Sequence, residues 1–202
     1  MELLLRWRGP VGPGRFPGSE AALEAIAGAG VYLRVKRYAG GRTVSYVGQS
    51  RRLLGRFDQH IRDVLTFSSA LRDDAGTVAL ARAGVSRLAA YNALDDVLPL
   101  VAAEARRLRF YWASCADGFD EAYLTLAEGA LKGRLEDAAA GAEAGLLCEN
   151  RQGIAEADFD DDIVIVHDFD ALDNADRALL VEITGGDAIR LPARLAELGH
   201  AE

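Results

Sequence analysis

Two runs rich in valine and tyrosine, GVYLRVKRY from Gly30 to Tyr38 and RTVSYVG from Arg42 to Gly48, alternate around Gly40-Gly41. A period of two sends successive side chains to opposite faces of a strand, and a Gly-Gly pair supplies the backbone freedom of a reversal. The stretch therefore reads as an antiparallel hairpin, in a loop that can exceed two residues. The hairpin commits the chain to a sheet, and the remaining elements are placed around it. Leu53, Leu54, Phe57, Ile61, Val64 and Leu65 follow at helical spacing, and Arg52, Arg56 and His60, each four apart, stack along another face of that helix.

The rest of the chain is read more coarsely. Residues 8–18 (RGPVGPGRFPG) form an irregular leading segment, and Ser19 caps a short helix to about Ile26. Residues 67–100 are a polar loop and one or two helices, with Pro99 as a break. RFYWASC, Arg109 to Cys115, is a third strand, and Asp120 caps a long helix to about Ala139 with Leu124, Leu131 and Leu135 inward. A short buried strand at Ile163–Val166, a helix over 171–183 and a further helix over 191–199 complete the reading. The expected class is α/β (α+β), a small central mixed or antiparallel sheet flanked by helices. Residues 1–29 lead in, 30–154 form the main domain with a helical insertion at 67–107, and 155–202 form an acidic C-terminal extension packed on it.

Composition matters mainly through its distribution. The formal charge of −8 argues against a generic nucleic-acid binder. Yet Leu33 to Arg62 holds eight basic residues (Arg34, Lys36, Arg37, Arg42, Arg51, Arg52, Arg56 and Arg62) against Asp58 alone, while residues 155–202 hold thirteen acids and three bases. No apolar run is long enough to span a bilayer, and no signal peptide is evident, so the expectation is a cytoplasmic protein with no membrane partner. Cys115 and Cys148 are too few for a secreted disulfide framework and are expected as free thiols.

Gly30-Val31-Tyr32 and, thirteen residues on, Tyr46-Val47-Gly48 resemble the paired signature of GIY-YIG nucleases. The likeness extends into the following helix, where an arginine stands eight residues after the second glycine and a histidine four residues later, Arg56 and His60. It resumes in LTLAEGALKGRL, where Glu128 matches the family's metal-binding glutamate; Glu121 and Glu136 compete for that place on the same helix. The resemblance covers about half the chain. It implies an endonuclease hydrolysing DNA in repair, restriction or defence. Tyr32, Tyr46, Arg56, His60 and Glu128 would be catalytic, and Gly48, Gln49, Arg51, Arg52 and Asn150 would contact substrate. The metal would be Mg²⁺ or Mn²⁺ on Glu128. Two positions depart from the pattern. Gln49 stands where the family often has lysine, and Asn150 lies twenty-two residues after Glu128 rather than about a dozen.

The chemistry agrees with these residue types. Phosphodiester hydrolysis needs an activated water and neutralisation of a pentavalent transition state. A hard cation is satisfied by one carboxylate plus waters and substrate oxygens, and the arginine fork matches a phosphate. The resemblance makes Tyr32 the general base, with Tyr46 and His60 lining the site; His60, with the better intrinsic pKa, stays open as the alternative base. Two other readings stand beside the nuclease: a non-cleaving nucleic-acid-binding module of the same fold, and a protein-interaction domain acting through the acidic C-terminal part. One active site nicks one strand, so double-strand cutting implies a homodimer or two events. His167 reads as structural or exposed, and its place beside Asp168 and Asp170 as a solvated cluster rather than a metal site.

Overall fold

The structure, a computed structural model, describes residues 1–81, 84–141, 145–150 and 162–193, without the side chains of 84–86. In chain order the strands are β1 (Glu2–Val11), β2 (Gly30–Arg37), β3 (Thr43–Ser50), β4 (Leu71–Arg72), β5 (Val78–Leu80), β6 (Arg109–Ser114), β7 (Leu146–Cys148), β8 (Ile163–Asp168) and β9 (Ala188–Leu191). The α-helices are α1 (Glu20–Glu24), α2 (Leu53–Leu65), α3 (Gly84–Asn92), α4 (Leu94–Arg107), α5 (Leu124–Gly141) and α6 (Asn174–Thr184).

Seven strands form one mixed sheet in the order β7-β3-β2-β6-β1-β8-β9, and β4 and β5 pair separately. The class is α+β, with helices on both faces. The sheet is larger than the hairpin and third strand expected from sequence. β1 lies antiparallel to β6 and parallel to β8, so residues near both ends of the described chain extend the sheet beyond β6. Alternation explains β1: Leu3, Leu5 and Trp7 are buried on one face. The expected irregular segment at 8–18 contributes Arg8–Val11 to this strand. A register shift between Arg8 and Val11 accommodates Gly9-Pro10, the kind of position at which a sheet tolerates glycine and proline.

Each face has its own core. Leu3, Leu5, Val31, Leu33, Val35 and Ile165 pack with Leu131 and Leu135 of α5 and Leu180 of α6. Tyr32, Phe110 and Trp112 pack with Leu53 and Phe57 of α2 and Val101 of α4 on the other face. Pro99 does not break the helix as expected but lies inside α4, whose Val97, Val101 and Ala105 are buried. An interior proline costs about 3 kcal/mol, which burial of these three side chains offsets. Asp120 caps a 3-10 turn at Glu121–Tyr123, and α5 begins only at Leu124. The helix expected over 171–183 is α6; of the helix expected over 191–199, Leu191 ends β9, residues 192–193 are not helical, and 194–199 lie outside the described residues. Cys115 and Cys148 are free. Among the described residues no helix is long and apolar enough to cross a membrane.

His167 is not part of a solvated cluster. It is 5% exposed, its Nδ1 accepts a hydrogen bond from the Trp7 indole at 3.0 Å, and its ring stacks on Phe169. Burial pulls its pKa down to about 4, against a smaller opposing effect of Asp187. A histidine depressed in the folded state stabilises above its unfolded value near 6.5 and loses that contribution as pH falls towards the folded value. We expect stability to drop by about 3 kcal/mol between pH 7 and pH 4 from this group. Urea unfolding of His167→Gln, which retains an acceptor for Trp7, should show a correspondingly weaker acid dependence; an unchanged one refutes the assignment.

Candidate active site

The site is built from the central strand outward. β2 is flanked by β3 and β6, and all its residues but Arg37 are buried. Val31, Leu33 and Val35 enter the α5–α6 core, so Tyr32, Arg34 and Lys36 must point to the α2–α4 face. β3 lies in register, with Tyr46 opposite Arg34 and Gly48 opposite Tyr32. The two motif glycines both answer to close approach. A Cβ on Gly48 would stand 2.4 Å from the Tyr32 hydroxyl, and one on Gly30 would stand 2.3 Å from the Ala113 carbonyl oxygen.

Helix α2 buries the stripe Leu53, Phe57, His60 and Val64, and this places His60 and, at the stripe's edge, Arg56 over β2. Arg56 Nε donates to the Tyr32 hydroxyl at 3.1 Å, and His60 Nε2 lies 2.7 Å from the same oxygen. Arg34 reaches His60 Nδ1 at 3.0 Å and lies over the Tyr46 ring at 4.8 Å. The Tyr46 and His60 rings meet edge-on at 5.5 Å. Four of the five residues expected to be catalytic, Tyr32, Tyr46, Arg56 and His60, therefore converge, and Arg34 joins them.

The fifth stands apart. Glu128 of α5 is half-buried; it receives the Gln49 amide at 3.2 Å and pairs with Lys132 at 3.1 Å. Gln49 also donates to Thr125 Oγ1 at 3.2 Å, so it ties β3 to α5. Asn150 closes the end of β7 as a backbone mimic: its Oδ1 accepts from Val47 N–H at 2.9 Å and its Nδ2 donates to Val47 C=O at 2.7 Å. Arg51 and Arg52 are exposed and outside the cluster; Arg51 lies 3.9 Å from Glu121.

A cavity of about 700 Å³ opens beside the cluster. Arg34, Lys36, Arg56, Arg72 and Lys132 line it against Asp63 and Glu149, with Tyr46, His60 and Asn150 in the wall. Tyr32 lies behind this wall, fully enclosed. Beneath the cavity runs an ion network. Glu149 pairs with Arg34, with Arg72 at 3.2 Å and with Lys36 at 3.7 Å. Lys36 bonds Glu104 at 2.7 Å, and Tyr38 donates to both Glu104 oxygens at 2.8 and 2.9 Å.

This environment shapes protonation. Burial, then the charges of Arg34, Arg56 and Lys36, pull His60 down to about 2, so the ring is neutral at physiological pH. Burial and the neighbouring Tyr46 raise Tyr32 well above the ordinary phenol value, against the lowering effect of Arg56 and Arg34. Burial would raise Glu149, but Lys36, Arg34 and Arg72 outweigh it and hold the carboxyl below its usual range.

No family model matches the chain, and neither the curated proteins nor the solved structures contain a match.

Sequence reasoning missed Arg34, Arg72, Glu149 and Lys132. Arg34 and Lys36 were counted in a basic stretch, and their position on the same strand face as Tyr32 marks them as inward once β2 is central. Lys132 had a readable signal, its spacing of four from Glu128. Arg72 and Glu149 had none, because both arrive by tertiary placement.

Proposed function

We propose that the chain is a metal-dependent endonuclease of GIY-YIG type acting on DNA. The observation that carries the reading is the convergence of Arg56 and His60 on the Tyr32 hydroxyl, with Tyr46 packed edge-on against His60, beside a cavity in which cations outnumber acids five to two. Arg56 would hold a phosphate oxygen and neutralise the charge that grows as water attacks phosphorus and the P–O ester bond breaks. Tyr32 would accept the water's proton as the phenolate, after losing its own proton to solvent. Besides Arg56, five basic side chains between Leu33 and Arg62 lie outside the buried core, Arg37, Arg42, Arg51, Arg52 and Arg62, and they suit a phosphate backbone.

Glu128 fits a hard cation in a minimal way. One carboxylate suffices for Mg²⁺ or Mn²⁺ if waters and substrate supply the other oxygens, and among the described residues no group of three potential ligands gathers. A cation bound there would polarise a phosphate oxygen and stabilise the leaving oxyanion. Lys132 competes for the same carboxylate. Lys132→Met should therefore bind Mn²⁺ about tenfold more tightly in calorimetry, a gain of about 1.4 kcal/mol; unchanged affinity excludes Glu128 as the ligand.

The enclosure of Tyr32 and the prior pairing of Glu128 favour a second reading, a module of this fold that binds nucleic acid without cutting it. The deciding experiment is cleavage of supercoiled plasmid, linear and branched duplex, single-stranded DNA and RNA, with Mg²⁺, Mn²⁺ or EDTA. Metal-dependent cutting that Glu128→Ala abolishes supports the nuclease. Salt-dependent DNA binding with no cutting of any substrate supports the binding module.

A further inference from the structure

We infer that Arg34 is a positioning residue that locks His60 in its Nε2-protonated tautomer, so that the ring donates to the Tyr32 hydroxyl and cannot act as the base. The assignment follows from donor inventory. A guanidinium carries only donors, so in its 3.0 Å contact with His60 Nδ1 the arginine gives the hydrogen and Nδ1 keeps its lone pair. A neutral imidazole then bears its proton on Nε2, the atom 2.7 Å from the Tyr32 oxygen. Burial and the facing cations Arg34, Arg56 and Lys36 keep the ring neutral.

The consequence falls on Tyr32. Its oxygen accepts from His60 Nε2–H and from Arg56 Nε–H at 3.1 Å, so its own proton points to neither. Two donors on one phenolic oxygen favour the phenolate, working against the burial that disfavours it. The side beside Gly48 is kept clear by the missing side chain, since a Cβ there would meet the hydroxyl at 2.4 Å. Arg34 is itself held by Glu149, which Arg72 of the 67–107 segment also grips, so the insertion helps set the tautomer. The alternative left open by the sequence is thereby closed in favour of Tyr32. The tautomer rests on geometry alone; its use in proton abstraction rests on the nuclease reading.

The test is nitrogen NMR of the full chain labelled with ¹⁵N in histidine and arginine, with no ligand present. The chain has three histidines, and His60→Gln assigns the signal. The wild type should show a neutral His60 with the proton on Nε2 and a scalar coupling across the hydrogen bond from Arg34 to Nδ1. In Arg34→Met the Nδ1 resonance should move to that of a nitrogen lacking this donor. A proton on Nδ1, a charged ring at pH 7, or absence of the coupling in wild type overturns the proposal, as does an unchanged His60 spectrum in the folded variant. The wild-type coupling decides the matter even where the variant does not fold, and none of these readouts depends on whether the chain cuts DNA.

Discussion

If the chain cuts DNA as proposed, Arg56→Ala should lower single-turnover cleavage roughly 10²–10³-fold while leaving the fold intact. The side chain is half-buried at the cavity wall, with Nε committed to Tyr32 and NH1 to Gln59 on its own helix. On the nuclease reading, truncation would remove a charge-assisted phosphate contact that strengthens as the transition state gains charge, and it strips one of the two donors from the Tyr32 oxygen. The rate of the chemical step should therefore fall much more than DNA affinity, because the exposed Arg51 and Arg52 remain to hold the backbone. Quench-flow on a single-site duplex separates the two. A loss of affinity with an unchanged chemical step would demote Arg56 to a binding residue.

Removing the buried carboxylate Glu104 should be the most damaging single truncation for stability. Glu104 is fully buried and bonded by Lys36, by both contacts from the Tyr38 hydroxyl, and by Arg107 at 3.6 Å. Glu104→Met leaves the Lys36 ammonium in a site where burial already lowers its pKa, with Arg34 pushing the same way and Glu149 opposing. Breaking a buried pair in this manner costs about 3–5 kcal/mol, a large share of a typical domain's stability. Urea unfolding should register it, and the double variant Lys36→Met with Glu104→Met should recover most of the loss, since it removes the orphaned charge. A double variant no more stable than Glu104→Met would show that packing, not charge, accounts for the damage.

The contrast between these residues marks how far the sequence could be read. Tyr32, Tyr46, Arg56 and His60 lie within one hairpin and the helix that follows it, where local periodicity determines which side chains share a face. Their convergence was legible for that reason. Glu128 was legible as a residue type at a helix position, but its pairing with Lys132 and Gln49 depends on how α5 lies across the end of β3. Arg34 and Lys36 were read only as members of a basic stretch because alternation alone does not reveal whether the second face of a strand is covered; α2 and α4 cover it. Glu104 and Glu149 are separated from Lys36 by 68 and 113 positions, and no local pattern connects them. β1 was not read from the sequence, since Gly9 and Pro10 resemble loop punctuation until a bulge is admitted.

The position of β1 also has a kinetic consequence. Its neighbours β6 and β8 lie more than a hundred residues downstream, as the pairings Trp7↔Ala113 and Leu3↔Ile165 record. The β2–β3 hairpin and α2 can form from contacts near in sequence, but β1 must wait as an unpaired, leucine-rich segment until both later strands have emerged from the ribosome. High sequence separation slows such pairing and leaves the waiting edge open to self-association. The half of the sheet around β1 is therefore among the last parts to close, and the hairpin–helix unit that holds Tyr32, Arg56 and His60 is among the first.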